Sequence, residues 1–348
     1  MNNINELTDI QRRLVVDLRQ AYEAYQSARQ FSGHYVGSMS WRQLRGKDTL
    51  LRRVGKSQKS LGQRSQQTEA AYEAFVSGKE RAELRQSEQA KGLNVQAALA
   101  KAAGLGRVPR IVARILRTFD EVQILGHLKV VGTNALFAYE ALAGVTFSGD
   151  LLATVDVDFV VDSRRRLRIM VPDADERTVT GLLRRVDRSF EVVRGRTYRL
   201  ANNENFMVDI IRPQPNPAWL DEPGEKPLAE GDVIPSPIEG LQWLVNAPRV
   251  EAVAIDDNGY PTPFVVPDPR LWMFHKLWLS QRMMRDAVKK QRDQSQALLV
   301  GKLLRRYLPQ YPIDQAFLAG LPRPLAEIAG RMEADEPGAS GGNLTPNW

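Results

Sequence analysis

ATVDVDFVVD, residues 153–162, sets two aspartates two positions apart inside an otherwise apolar run. Val155, Val157, Phe159, Val160 and Val161 predict a buried strand over Ala153–Asp162. Side chains alternate across a strand, so Asp156 and Asp158 face the same way and belong at a cleft edge. Neighbouring carboxylates raise each other's proton affinity unless a cation lies between them. Oxygen-only donors favour a hard divalent ion, Mg2+ or Mn2+. Asp209, in the apolar run FMVDII (206–211), is a third acid on a strand expected to lie alongside. Three carboxylates on adjacent strands can hold two metals for in-line phosphoryl transfer.

Upstream, VVGTNALFAYE (130–140) reads as strand, turn and helix. Gly132 allows the backbone to approach a ligand closely. Thr133 and Asn134 put a hydroxyl and an amide at a helix N-terminus, where free N–H groups attract phosphate. A phosphate cradle beside metal-binding carboxylates is what a nucleoside triphosphate requires. Around this centre the pattern predicts a strand over Leu128–Val131 and helices over Ala135–Leu142 and Asp173–Val186, the second capped by Asp173. Short strands are predicted near Phe190–Val193, Thr197–Leu200 and Phe206–Ile211. Strand, turn, helix and then mixed strands make an α+β layer rather than a helical bundle.

The flanks differ in texture. Thr8–Gln30 carries Ile10, Leu14, Val15, Leu18, Ala21, Tyr22 and Tyr25 on one helical stripe. SMSWRQLRGKDTLLRRVGKSQKSLGQRS (38–65) breaks at Arg45-Gly46 and at Gly55-Lys56 and reads as a three-stranded meander. A helix follows over Gln67–Ser87, less regular sequence runs to Leu105, and Pro109 opens another helix. Arg212–Pro237, with seven prolines, is an extended connection. Asp257-Asn258-Gly259 predicts a hairpin turn between Val250–Ala254 and Pro263–Val266. One long helix is predicted from Arg270 to Val300, and a loose tail over 333–348. The resulting divisions are a helical region at 1–120 with the meander at 38–65, the α/β layer at 121–237, a hairpin plus helices at 238–332, and the tail.

Composition narrows the chemistry. The 348 residues, 43% apolar and 26% charged, suit a soluble globular chain of more than one domain. The absence of cysteine excludes disulfides, thiol catalysis and cysteine-ligated metals. His34, His127 and His275 are too scattered for a histidine cage, which leaves carboxylates and a hard cation. His275, among Trp272, Trp278 and Leu279, is expected to pack rather than act as a base, and Trp243 to lie in the core. The N-terminal MNNINELTDIQRR has no apolar signal core, and the chain lacks a run of about 18 apolar residues. Cytoplasmic residence away from membranes is the expectation.

The net charge of +7 is local. Between Trp41 and Gln67, Arg42, Arg45, Lys47, Arg52, Arg53, Lys56, Lys59 and Arg64 stand against Asp48 alone, so this segment holds the entire excess. Interleaved with Trp41 and several serines, these cations suit a phosphate-tracking surface for tRNA or DNA, read by backbone or shape. The plainer alternative is an edge hairpin guarded by Lys and Arg.

The ordered set resembles the DNA polymerase β-type nucleotidyltransferase superfamily. That pattern is an apolar strand, Gly-Gly or Gly-Ser and a helix, then a strand with Asp-x-Asp, then a third acid on a later strand. Gly132-Thr133, Asp156-Val157-Asp158 and Asp209 stand for these elements. VVGTNALFAYEALAGV (130–145), ATVDVDFVV (153–161) and HKLWLSQRMMRDAVKKQRDQSQA (275–297) look more closely like a bacterial family of nucleotidyltransferase-fold proteins, over about Ser38–Gln296. The chain is more distantly similar to abortive-infection toxin nucleotidyltransferases. Thr133 stands where the second glycine or serine is usual and keeps a hydroxyl. Gly132 and Asp156 are 24 residues apart, so AGVTFSGDLLA (143–153) must form an insertion near the site.

The resemblance implies a polymerase β-like palm, a mixed sheet with flanking helices, at 121–237. Helical N- and C-terminal regions would flank it. It implies that Asp156 and Asp158 bind both metals, and that Asp209 binds the catalytic metal and helps activate an acceptor hydroxyl. Gly132 and Thr133 would hold the β- and γ-phosphates with Asn134 in support, and Lys276 and Arg282 would face the triphosphate. Lys289, Arg292 and Asp293 match a later basic/acidic cluster. The same helix also reads as a solvated amphipathic face with an Arg282–Asp286 pair. The implied function is metal-dependent transfer of a nucleoside monophosphate from an NTP to a nucleic-acid end such as tRNA, or to a protein. By analogy alone it extends to a toxin with an antitoxin partner. The alternative is an idle transferase fold that binds nucleic acid through the meander.

Overall fold

The computed structural model describes residues 3–162, 178–215 and 227–335. A short strand, β1 (Ile4–Glu6), leads to Thr8, which closes a capping box with Gln11 and starts α1 (Asp9–Gly33). The meander forms as expected: β2 (Ser38–Leu44), β3 (Lys47–Val54) and β4 (Ser57–Gln63) pair antiparallel in that order. Ser65 and Thr68 cap α2 (Gln66–Ala102) in the same reciprocal way. The expected loss of regularity after Ser87 does not occur. Leu93, Ala97 and Ala100 continue a stripe that packs on Leu18 and Tyr22 of α1. That stripe is largely alanine, so tertiary burial rather than hydrophobic periodicity sustains the helix.

The main sheet follows. α3 (Arg110–Glu121), β5 (Leu128–Val131), α4 (Ala135–Ala143), β6 (Val145–Phe147) and β7 (Asp156–Val161) lead to α5 (Val179–Val186). β8 (Glu191–Val193), β9 (Arg196–Ala201), β10 (Met207–Pro213) and β11 (Ser236–Ile238) complete it. The order is β5-β7-β10-β9-β8, with β10 parallel to β7 and β11 joined to the far end of β10. Alternation then sorts the side chains. Val130, Val157, Phe159, Val208 and Ile210 enter the large core with Ile115, Leu116 and Phe119 of α3 and Leu182 and Leu183 of α5. Val131 and Val160 point to the opposite face, where they meet Leu241 and Leu244 of α6 (Leu241–Asn246).

Some boundaries move. β7 is shorter than expected, starting at Asp156. α5 starts at Val179, with Thr178 accepting from the Gly181 N–H at 2.9 Å. Buried Asp232, from the expected connection, also accepts from Val179 N at 2.7 Å and Thr180 N at 3.1 Å. Asp173, expected as the cap, lies outside the described residues, as do 216–226 of the proline-rich connection. The hairpin is present as β12 (Arg249–Ile255) and β13 (Pro261–Pro267).

The single long helix is instead two, α7 (Pro269–Ser280) and α8 (Ala287–Tyr307). The break arises because Asp286 turns its carboxylate onto the Val288 and Lys289 N–H groups as a new cap. The expected Arg282–Asp286 pair is therefore replaced by Arg282–Glu239. α9 (Gln315–Ala319) and α10 (Arg323–Asp335) follow, and 336–348 of the expected tail lie outside the described residues. Among the described residues no helix is long and apolar enough to cross a membrane.

His275 packs, as its neighbours suggest. Its ring stacks on Trp278 at 5.9 Å and meets Trp243 edge-on at 6.2 Å, and its Nε2 has no partner. Burial, then the nearby Lys276 and Arg285 cations, hold its pKa down to about 3, with Asp293 opposing. A histidine depressed below its ordinary value of about 6.5 takes up a proton more readily when unfolded. Its contribution to stability is therefore whole above about pH 6.5 and is lost as pH falls toward 3. The His275→Phe variant is expected to remove a slope of up to ~1.4 kcal/mol per pH unit across that window. Urea unfolding at pH 7, 5.5 and 4.5 measures it.

Candidate active site

The parallel register of β7 and β10 sets Asp158 directly beside Asp209, and Met207 beside Asp156. Cross-strand partners share a face, so all three aspartates project on the side of the sheet away from the large core. Asp156 and Asp158 are half-buried, and Asp209 is 6% exposed. Burial, then Asp156 and Asp209, push the Asp158 carboxyl up to about 7, and Lys276 and Arg199 pull it back. Thr154 donates its hydroxyl to Asp156 Oδ1.

Asp209 has a partner that the sequence did not announce. Arg199, its antiparallel neighbour on β9, donates Nε to Oδ1 at 2.7 Å and Nη2 to Oδ2 at 2.6 Å. This planar fork engages both carboxylate oxygens. Among the described residues, no group of three or more acids and histidines is arranged to hold a metal ion. The signal for Arg199 is a strand register, which a single sequence does not display.

Gly132 sits under the carboxylates at φ +65°, and a β-carbon there would lie 2.2 Å from Asp158 Oδ2. The close approach expected toward a ligand is thus made to Asp158 itself. Thr133 follows, 3% exposed, its Oγ1 accepting from Arg292 Nη2 at 2.9 Å and Gln296 Nε2 at 3.2 Å. Asn134 donates to the Asp156 carbonyl at 2.6 Å, and its Oδ1 is buried without a partner. The turn therefore locks α4, β7 and α8 together. The 143–153 insertion joins them: β6 pairs with β1, and the Leu151 carbonyl accepts from Gln296 at 2.8 Å. Gln296, like Arg199, escaped the sequence analysis.

The helix residues divide. Buried Lys276 donates to Asp293 Oδ1 at 2.7 Å, and Arg285 holds Oδ2 from the more exposed side at 2.8 Å. Burial lowers the Lys276 pKa and Asp293 opposes that shift. Arg292 thus faces the turn, and Lys276, with Asp293 as its partner, acts on Asp158, whereas Arg282 stacks over Trp278 at 4.7 Å and pairs with Glu239. Lys289 is exposed at the start of α8.

The basic segment is likewise sorted by its sheet. One face meets the helices: Trp41 packs on Tyr72, and Arg52 lies 5.4 Å over Phe75. Arg64 stacks on Trp41 and pairs with Glu69 at 2.7 Å and Asp48 at 3.5 Å. Arg52 and Arg64 therefore serve the fold. The opposite face carries exposed Arg42, Lys47 and Arg53 among Ser38, Ser40, Gln58 and Ser60. Arg45 and Lys56 lie at the turns, and Lys59 is exposed across from Arg52.

The close contact at Gly132 gives a test. Gly132→Ala is expected to cost roughly 1–3 kcal/mol by overpacking against Asp158. Gly46→Ala, also at positive φ (+76°) but with nothing within 4 Å, pays backbone strain alone. Paired urea melts measure the difference.

A family model described as Nucleotidyltransferase matches residues 110–320. No curated protein and no solved structure matches the chain. The matched segment begins at α3 and encloses the Gly132 turn, the three aspartates and both helices facing them, while the meander lies outside it. Because it spans more than half of the sequence, the chain belongs to this nucleotidyltransferase family.

Proposed function

We propose that the chain transfers a nucleoside monophosphate from an NTP to an acceptor hydroxyl or phosphate, releasing pyrophosphate. The observation that supports this most is one junction. Gly132 abuts the Asp158 carboxylate, Asn134 holds the Asp156 backbone, and Arg292 reaches the Thr133 hydroxyl. A glycine turn, two carboxylates and a guanidinium thus meet at a helix N-terminus.

The donor set fits a divalent cation. Asp156 and Asp158 offer oxygen ligands on one face; burial, and after it the charges of Asp156 and Asp209, raise Asp158, and a hard cation relieves that crowding. Mg2+ or Mn2+ held by Asp156 and Asp158 would neutralise charge at the reacting phosphate. The remaining roles belong to the chain's own groups. The Gly132–Thr133 turn positions the triphosphate tail, and Arg292 draws it in from the α8 side. The buried Lys276 ammonium, facing Asp158 and fixed by Asp293, adds a positive wall.

Incubation with α-labelled NTPs, Mg2+ and candidate acceptors (tRNA, DNA ends, protein) tests the proposal. The wild type should label one class, and Asp156→Asn/Asp158→Asn should reduce labelling at least ~100-fold with its thermal melt retained. A wild type that neither binds an NTP with metal nor labels any acceptor contradicts it. A toxin role predicts growth arrest that depends on Asp156.

A second reading is favoured by the outward face of the meander, where Arg42, Lys47 and Arg53 are exposed. In this reading that face docks nucleic acid, either presenting an end to the carboxylates or acting alone on an idle fold. Replacing these three residues by glutamine should lower the slope of log K against log salt by roughly 2–3. Arg52→Gln would act through stability instead. An unchanged slope removes this reading.

A further inference from the structure

The expected set of three metal-binding aspartates meets an obstacle that lies within the sheet. Arg199 and Asp209 are direct cross-strand partners on β9 and β10, so backbone register brings their side chains together. Both guanidinium bonds are short, 2.7 and 2.6 Å, and together they engage both oxygens of Asp209. The side chains are 17% and 9% exposed, so water does little to compensate either charge if they part. A cation ligated by Asp209 would have to sit beside this fixed guanidinium.

Charge matching points the same way. Arg199 balances Asp209, and Asp293 balances Lys276, with Arg285 sharing Asp293 from the solvent side. Asp156 and Asp158 then remain, among the described residues, as two carboxylates with no ion-pair partner of their own, a pair of oxygen donors suited to one divalent ion. Thr154 and Asn134 hold Asp156 by its carboxylate and its backbone respectively, so Asp156 is fixed in place.

Building on the proposed transferase reading, we propose that Arg199 acts as a built-in counter-cation that keeps Asp209 out of metal coordination, so that the site takes one divalent ion, held by Asp156 and Asp158. Arg199 is then a positioning residue, and Asp209 serves to anchor it. The guanidinium then occupies the place beside Asp209 that a second ion would otherwise take.

Mn2+ binding to the full chain, followed by the electron paramagnetic resonance of free Mn2+, tests this without any need for turnover. The wild type should bind one Mn2+, and Asp156→Asn/Asp158→Asn should weaken it more than tenfold. Arg199→Met/Asp209→Asn, which removes the pair together and leaves no unpaired charge, should keep the single site within about threefold. Arg199→Met, which frees Asp209, should gain a second equivalent or bind at least tenfold tighter. Its thermal melt, lowered without metal, should recover with Mn2+ more than the wild type's does. Two equivalents in the wild type, or loss of binding in the double Met/Asn variant, overturns the inference while leaving the transferase reading standing. Binding that is indifferent to Asp156 and Asp158 overturns both.

Discussion

Three carboxylates on one face of a sheet repel one another, and the surroundings of that face act to contain the repulsion. The register of β7 against β10 creates the problem by setting Asp158 beside Asp209. Arg199 answers it from β9 at Asp209, and Lys276 approaches from α7. Lys276 in turn needs Asp293, which needs α8 to break away from α7 and fold back across the turn. The Gly132 turn completes the enclosure, because only a residue without a β-carbon leaves room for Asp158.

The same constraint explains which parts were legible in the sequence. Asp156, Asp158 and the Gly132 turn are local patterns, a period of two and a strand–turn–helix junction, and a single sequence displays both. Strands and hairpins bounded by Gly46, Gly55 and Gly259 were legible for the same reason. Arg199 and Gln296 were not, since each matters through a partner distant in sequence: one across an antiparallel ladder, the other between α8 and Thr133. The break between α7 and α8 contains neither proline nor glycine, and only the capping use of Asp286 reveals it. The far half of α2 was obscure because alanine packs well yet carries little periodic signal.

Charge behaves differently in the two halves. Counting residues placed the whole excess in the meander, but the fold divides those cations by function. Arg52 and Arg64 spend their guanidinium groups on Phe75, Trp41, Glu69 and Asp48. Arg42, Lys47 and Arg53 are left on the open face. Around the aspartates, Arg199, Lys276, Arg285 and Arg292 match Asp209, Asp293, Asp156 and Asp158 in number. The exposed cations of the meander and the paired carboxylates thus lie in separate parts of the chain, and the family match covers only the carboxylates.

The most direct measurement is anomalous scattering from crystals soaked with Mn2+ and a non-hydrolysable NTP. A manganese peak is expected at Asp156 and Asp158, with the triphosphate against Gly132–Thr133 and Arg292. A triphosphate seated elsewhere, or manganese that avoids these two carboxylates, would contradict it.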